Sequence, residues 1–346
     1  MIMVEFGLDT FGDVTVDDKG NKIPYAQVIR NVVEQAVLAE RVGVDGFGLG
    51  EHHRDDFAVS APEIVLAAIA ARTERIKLGT AVTVLSSDDP VRVFERFATL
   101  DAVSNGRAEI ILGRGSFTES FPLFGFDLHD YERLFEEKAD LMVKLLDEGP
   151  VSWEGTVRPP LKDQQVYPKT ESGRIRTWIG VGGSPESVVR AARHGLPLVL
   201  AIIGGEPVRF APYVELYQRA LEEFEQPSQP VAVHCPGFVA ETDEEAVETL
   251  WPHARTMLNR IGRERGWPPL SRDRFENDIR DGAWHVGSPE TVAQKVAHTI
   301  KHLGIQRFDL KYSAGTLPHD KMLKAIELYG TEVVPRVKEL LASSSA

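Results

Sequence analysis

Short apolar segments alternate with amphipathic stretches along the whole chain, and the spacing of the apolar positions changes with them. A strand is predicted over 3–9. A helix follows over Tyr25–Arg41, where Val28, Ile29, Val32, Val33, Ala36 and Val37 share one face. Gly43 and Gly46 punctuate its return. Residues 45–50 predict a second strand, Ser60-Ala61-Pro62-Glu63 supplies the N-cap and first turn of a second helix, and 76–82 predicts a third strand. Further strands are predicted at 107–112, Arg176–Val181, 198–203, 231–235 and Arg307–Lys311. A strand–helix rhythm implies a parallel sheet, and about eight such units imply an α/β fold closed as a (β/α)8 TIM barrel.

No Pro/Ser-rich linker or low-complexity stretch divides the chain, so residues 1–346 are read as one barrel domain rather than two Rossmann-like halves. Two segments interrupt the rhythm: 149–170, with Trp153 and several prolines, and 264–287, rich in Arg, Asp and Trp. Both are candidate active-site insertions, because catalytic loops in such barrels follow strand ends. The second is expected to be a mobile, loop-like lid over the mouth.

Composition narrows the function classes. A hydrophobic content of 42% suffices for a large core, and a net charge of −13 opposes attraction to nucleic acid or an anionic membrane. The lone cysteine, Cys235, excludes an intrachain disulfide and a multi-cysteine zinc site, which fits a reducing compartment. The start MIMVEFGLD reads as a strand without a basic leader, and no apolar run reaches membrane-spanning length; the expectation is a cytoplasmic protein.

The second strand ends in Gly50-Glu51-His52-His53, which puts ionisable side chains at the mouth, where barrels keep their active sites. Adjacent histidines at a strand end point apart and no third ligand has suitable spacing, so no metal site is expected. His52 serves either chemistry or ordinary backbone hydrogen bonding. The fourth strand leads into Gly113-Arg114-Gly115-Ser116, where glycines allow close approach and the guanidinium offers a fork to phosphate. The competing role for Arg114 is a salt bridge to Asp127 or Glu119.

A second half of an anion site follows the fifth strand in Gly180-Val181-Gly182-Gly183-Ser184-Pro185-Glu186-Ser187. Gly182 and Gly183 permit a tight turn with exposed N–H groups, Ser184 can cap a helix, and Pro185 suits its first position. Pro185 also breaks the dinucleotide fingerprint G-x-G-x-x-G. The same string at Gly287-Ser288-Pro289-Glu290 reads as an ordinary helix start. Lys311, at the end of the eighth strand, is the residue that a Schiff-base aldolase would require.

Taken in order, Glu51-His52-His53, Leu78-Gly79-Thr80-Ala81-Val82-Thr83-Val84-Leu85 with Asp89-Pro90-Val91-Arg92, and Ser104-Asn105-Gly106-Arg107 resemble the luciferase-like flavin monooxygenases. Gly113-Arg114-Gly115, Phe124-Gly125-Phe126-Asp127, Gly195-Leu196-Pro197, Val286-Gly287-Ser288-Pro289-Glu290 and Val334-Pro335-Arg336 continue the resemblance over essentially the whole chain. It implies a reduced-flavin site at the barrel mouth. Arg114 would meet the FMN phosphate with Ser184 and Ser187 beside it, Gly182 and Gly183 would give backbone contacts, and Thr80, Ala81 and Val82, with a non-proline cis peptide at Ala81-Val82, would lie under the ring. His52 matches the family's active-site histidine.

The resemblance further implies a monooxygenase. Externally reduced FMN, supplied by a separate flavin reductase, reacts with O2, and an oxygen atom passes to a small organic substrate while His52 orients the activated oxygen or supplies a proton. Two alternatives stay open: hydride transfer with a 5-deazaflavin, and a flavin-binding protein without turnover. Luciferase carries a reactive cysteine just before its phosphate-binding arginine and an acidic residue just before the serine, where this chain has Gly113 and Gly183. A homodimer is expected through the helix near Ala61, which is apolar nearly all round from Ile64 to Ala71.

Overall fold

The computed structural model describes residues 4–17 and 19–343. Eight parallel strands form the wall: β1 (Glu5–Thr10), β2 (Gly46–Leu49), β3 (Lys77–Thr80, resumed at Thr83–Val84), β4 (Glu109–Gly113), β5 (Arg176–Val181), β6 (Leu198–Ala201), β7 (Val231–Val239) and β8 (Arg307–Lys311). β8 pairs with β1, Leu310 beside Leu8, and the ring closes between β3 and β4 through Thr83 with Leu112 and a bridge from Leu78 to Ala108. The predicted TIM barrel is the observed fold, with strand bounds moved by a few residues. Residue 3 of the first predicted strand lies outside the described residues.

Around the wall run α1 (Tyr25–Arg41), α2 (Pro62–Ala70), α3 (Pro90–Val103), α4 (Tyr131–Leu145), α5 (Pro185–Arg193), α6 (Ala211–Glu223), α7 (Asp243–Arg265), α8 (Arg272–Asp281), α9 (Pro289–Leu303), α10 (His319–Leu328) and α11 (Val334–Ala342). Several starts are set by a capping side chain followed by proline. Asp89 accepts from the Val91 and Arg92 amides, Ser184 from Ser187 and Ser288 from Thr291, with Pro90, Pro185 and Pro289 next in each case. α1 turns Val28, Val32, Val33 and Ala36 to the wall. No described helix is long and apolar enough to cross a membrane.

The main hydrophobic core lies between the outer face of the strands and the helices, and includes Phe6, Phe47, Leu78, Ile110, Leu200 and Phe308. Alternate residues of the same strands point into the barrel. There the apolar cluster is small, Ile111, Trp178, Val199 and Ala232 with Val82 against them. Layers of branched aliphatic residues usually fill such an interior. Here β2 to β5 instead offer Gly48, Gly79, Gly113 and Gly180, while β1, β7 and β8 offer Asp9, His234, Asp309 and Lys311. A glycine side and a charged side leave a cavity open into the barrel.

The two interruptions behave differently from expectation. Segment 149–170 is no active-site insertion: it forms an antiparallel hairpin, Val151–Trp153 with Leu161–Gln164, and none of its residues lines the cavity. It follows a helix rather than a strand, and packs along α4 through Trp153 to Asp140 and Thr156 to Glu137. Segment 264–287 does reach the mouth, yet it is not a loop. It comprises the end of α7, all of α8, and His285–Gly287 paired to β7. Phe275 and Ile279, four residues apart on α8, are buried, and so is Trp284.

Candidate active site

The mouth opens into a cavity of about 830 Å³, within the range of small-molecule sites. Thr80, Ala81, Val82, Arg114, Gly182, Gly183, Ser184 and His52 all line it. Ser187 does not; it sits behind the turn, its amide and hydroxyl each 3.3 Å from Ser184 Oγ. The structure thus brings together every residue singled out for the site except one, which is hydrogen-bonded to its neighbour Ser184.

One wall is a ledge. The Ala81-Val82 peptide is cis, and β3 steps inward there between its two strand segments. Val82 lies against the backbones of Gly113 and Gly180: an added Cβ on Gly180 would stand 3.1 Å from Val82 Cγ1, and on Gly113 2.9 Å from Val82 Cβ and closer still to its Cγ2. Ala81 lies over Gly48 in the same way, at 3.2 Å. The glycines of neighbouring strands give the ledge its room, and its open face looks onto the cavity.

At one end of the ledge lies the turn Gly182-Gly183-Ser184. Gly183 has φ of 112°, which disfavours any residue with a side chain, and Tyr213 Oη donates to its carbonyl at 2.9 Å. No atom lies within 4 Å of a Cβ built on Gly182, so a ligand can approach its backbone. Arg114 faces this turn and stacks over the Tyr131 ring at 5.4 Å. Its ion-pair partner is Glu132, neither Asp127 nor Glu119. Asp127 caps its own one-turn helix through the His129 amide, and Glu119 is taken by Arg54 at 2.6 Å. Ser184 Oγ donates to Glu186 at 2.7 Å. An incoming anion would therefore displace two carboxylates, of which Glu132 is largely exposed and free to swing away.

On the cavity wall His52 sits among Phe11, Phe57 and Phe117, with ring centroids 4.8, 4.4 and 5.1 Å away. Its Nε2 is buried and makes no hydrogen bond. Burial, aided by Lys311, Arg54 and His53 against the opposing charge of Asp13, pushes its pKa down to about 3. His52 is therefore a neutral imidazole at ordinary pH. His53 also borders the cavity but is paired, 2.9 Å from Glu51, whose other oxygen accepts from the Val84 amide at 3.0 Å.

The roof is fastened by ion pairs. Arg54 donates to Glu264 on α7 at 2.7 Å and to Asp56 at 2.9 Å, and packs over Phe117 at 4.4 Å; Arg265 donates to the Ser116 carbonyl at 3.0 Å. Leu258, Trp267, Leu270 and Trp284 give this side an apolar lining.

The floor holds charged residues that, Lys311 apart, the motifs did not reveal. Arg307 donates to Glu109 at 2.8 Å and to Asp309 at 2.9 Å, and His234 Nδ1 lies 2.7 Å from Asp9 Oδ2. Lys311 is bound to Ser313 and Asp13, so it is not the free amine that a Schiff base would need. The signal for this floor was present as strict alternation, Arg307-Phe308-Asp309-Leu310-Lys311 and Glu5-Phe6-Gly7-Leu8-Asp9. A strand of a parallel sheet covered on both faces should instead be apolar throughout. Cys235 points the other way, into the outer core, where burial raises its thiol pKa well above the usual range.

Known proteins share this architecture. The sequence profile described as luciferase-like monooxygenase matches residues 5–307. The alkanal monooxygenase alpha chain of Photobacterium leiognathi is 24% identical over 345 residues, covering 91% of this chain and 95% of the relative. Among solved structures, the monooxygenase RslO1 from Streptomyces bottropensis superposes with a TM-score of 0.83 at 23% identity, covering 96% of this chain and 99% of that one. The oxygenating constituent of 3,6-diketocamphane monooxygenase from Pseudomonas putida, in complex with FMN, gives 0.78 at 19%, covering 97% and 99%. An F420-dependent secondary alcohol dehydrogenase with an F420-acetone adduct gives 0.75 at 18%, again covering 97% and 99%. With the profile spanning nearly the whole chain over a matching barrel, this protein belongs to the luciferase-like monooxygenase family of flavin-dependent enzymes.

Proposed function

We propose that the protein is an FMN-dependent monooxygenase, which takes reduced FMN from a separate flavin reductase and transfers an oxygen atom of O2 to a small organic substrate. One observation carries the reading: a glycine-cleared ledge at Ala81-Val82 ends at an anion-binding turn faced by Arg114, a floor for a flat ring with a seat for its phosphate. Arg114, Ser184 and the amides of Gly182 and Gly183 would hold the phosphate at the start of α5, with Ser187 fixing Ser184 from behind. Bound reduced flavin would supply the electrons and the site of oxygen activation. Trp267, Leu270 and Trp284 exclude water from the space above the ledge, and the neutral imidazole of His52 orients the reacting oxygen as a hydrogen-bond donor.

The likeness to an F420-dependent dehydrogenase supports a second reading, hydride transfer with a deazaflavin. The surroundings of the turn weigh against it. F420 carries a longer anionic tail beyond its phosphate, and here Glu132 and Glu186 are held against Arg114 and Ser184, beside the place that tail would leave from. Anaerobic titration with reduced FMN and with reduced F420, followed by admission of air, tests the proposal. It expects tighter FMN binding and a reoxidation rate unlike that of free reduced FMN. Tighter F420 binding would overturn it, and reoxidation identical to that of the free cofactor would favour a carrier.

A homodimer through α2 completes the proposal. Ile64 is 73% exposed on this helix, with Ala61, Ala68 and Ala71 exposed along the same side. An isoleucine so displayed beside small residues suits close packing against a second copy.

A further inference from the structure

Two histidines border the cavity, both beside the Phe11 ring, and their surroundings differ in kind. His52 is enclosed by aromatic rings with no carboxylate in contact. His234, on β7, has Asp9 of β1 at 2.7 Å from Nδ1, and the pair is almost wholly buried. A carboxylate in that position fixes the tautomer: Nδ1 carries hydrogen and donates to Asp9, which leaves Nε2 to face the cavity. Among the described residues Nε2 has no hydrogen-bond partner, and Phe11 stacks parallel to the ring at 6.2 Å, interplanar angle 4°, holding its plane. The second oxygen of Asp9 is buried without a partner, so the carboxylate's one side-chain contact is spent on this imidazole.

The charged groups around the ring come from two strands. Asp9 faces it from β1, and Asp309, its register partner, with Lys311 from β8; β6 contributes Val199 and Ala201, which do not titrate. Burial pushes the imidazole pKa down, but Asp9 and then Asp309 raise it further than burial and Lys311 lower it. The ring thus holds its second proton to higher pH than an ordinary histidine, the reverse of His52.

We propose that Asp9 and His234 form the proton-donating dyad of the cavity, with His234 Nε2–H as the catalytic acid toward an oxygen atom of the bound substrate and Asp9 as its positioning residue. The proton leaves Nε2 and forms an O–H bond on the substrate; the imidazolium becomes a neutral ring whose Nδ1–H stays on Asp9, and solvent returns the proton after product leaves. The matching substrate class is one with a carbonyl at its reacting end, whose oxygen takes up the C=O π electron pair as a nucleophile adds at carbon and so has a place for the proton. The proposal rests on the cavity being the reaction site of the flavin-dependent enzyme argued above, and it holds for either flavin.

The test begins with flavin-free protein. Diethyl pyrocarbonate, which attacks the neutral imidazole, is applied across a pH series and the modification of each histidine followed by peptide mass spectrometry. The expected result is a His234 profile with a midpoint above that of ordinary histidine, lowered by Asp9→Asn, while His52 shows no midpoint near neutrality. His234 with an ordinary or lower midpoint, or one indifferent to Asp9→Asn, overturns the proposal. In the flavin-loaded enzyme, His234→Gln should cut turnover about 100-fold with flavin affinity unchanged, and Asp9→Asn should lower it less while shifting its pH profile. Full turnover in His234→Gln overturns the catalytic role even if the titration is as expected. Failure of wild type to bind either flavin would sink the flavin reading instead, while the titration of His234 would stand.

Discussion

Val82 lies so close to Gly113 that a Cβ on the glycine would stand 2.9 Å from Val82 Cβ and nearer to its Cγ2. The pair is a lock between β3 and β4: the ledge occupies the space that a side chain on β4 would need. Luciferase carries a cysteine at the position of Gly113, and this chain has no room for one while Val82 stays in place. Gly113→Ala should therefore displace the ledge and weaken FMN binding by at least about tenfold, the range of overpacking costs. Val82→Ala in the same protein should restore most of the affinity. Flavin fluorescence titration of the single and double variants is the measurement, and an unchanged affinity in Gly113→Ala would remove the ledge from the cofactor site.

Arg114→Ala should weaken FMN binding by about 2–3 kcal/mol, roughly 30- to 150-fold, and leave riboflavin binding unchanged because riboflavin has no phosphate. Glu132→Gln should act in the opposite sense, since it removes the carboxylate that now holds Arg114. Equal losses for FMN and riboflavin in Arg114→Ala would mark a structural ion pair rather than a phosphate contact.

His52→Ala should leave FMN affinity nearly intact and lower the yield of oxygenated product by about 100-fold, with the consumed O2 appearing as hydrogen peroxide. Because His52 is neutral down to about pH 3, the effect of the substitution should not vary between pH 6 and 8. A product yield equal to the parent's would reduce His52 to a packing residue among Phe11, Phe57 and Phe117.

Acid should destabilise the fold before its carboxylates titrate. His52 and His285 have folded pKa values pushed to about 3 by burial, against about 6.5 in an unfolded chain. As pH falls below about 6.5 the unfolded chain binds protons that the folded barrel refuses. Stability present above that pH is lost at roughly 1.4 kcal/mol per pH unit for each of these histidines. His234 opposes them, since its raised pKa gives stability that is full at low pH and lost as pH rises through the folded value. His194, pushed down to about 4, and His253 and His298, also lowered, add to the first two, while the exposed His129 alone joins His234, which leaves a net loss on acidification. Urea midpoints at about pH 7 and 5.5 should show it, and His285→Gln should flatten the dependence.

Ile64→Lys should turn the proposed dimer into a monomer without unfolding it, because the side chain is 73% exposed and contributes little to its own barrel. Light scattering at micromolar concentration reads the outcome directly. A monomer in wild type would sink the dimer, and a dimer in the variant would move the interface elsewhere.

The barrel was legible because most helices keep one apolar face and three of them start at a capping Asp or Ser followed by proline, at Asp89-Pro90, Ser184-Pro185 and Ser288-Pro289. The turn was legible through a local string, since Gly182, Gly183 and Ser184 fall within one turn, whereas the cis peptide of the ledge followed only from the family resemblance. Segment 149–170 misled because prolines and a tryptophan signal an irregular stretch without saying which side of the wall it joins. Segment 264–287 misled because its charges masked the spacing of Phe275 and Ile279. The floor depends on contacts between distant strands: Asp9 and His234 are 225 residues apart and meet only when the sheet closes. The partner of Arg114 was missed for a simpler reason, since Glu132 lies in the first turn of α4 and sequence distance favoured Glu119 and Asp127.

The split of the barrel interior into glycine and charge leaves most of the apolar burial on the other face of the strands, between wall and helices. The scaffold and the reaction vessel are therefore carried by opposite sides of the same eight strands. Substitutions at inward positions such as Ile111 or Val199 can reshape what the vessel accepts while the outer face keeps the fold standing. A lineage built this way can change its diet by small steps, without first accumulating a reserve of stability to survive each one.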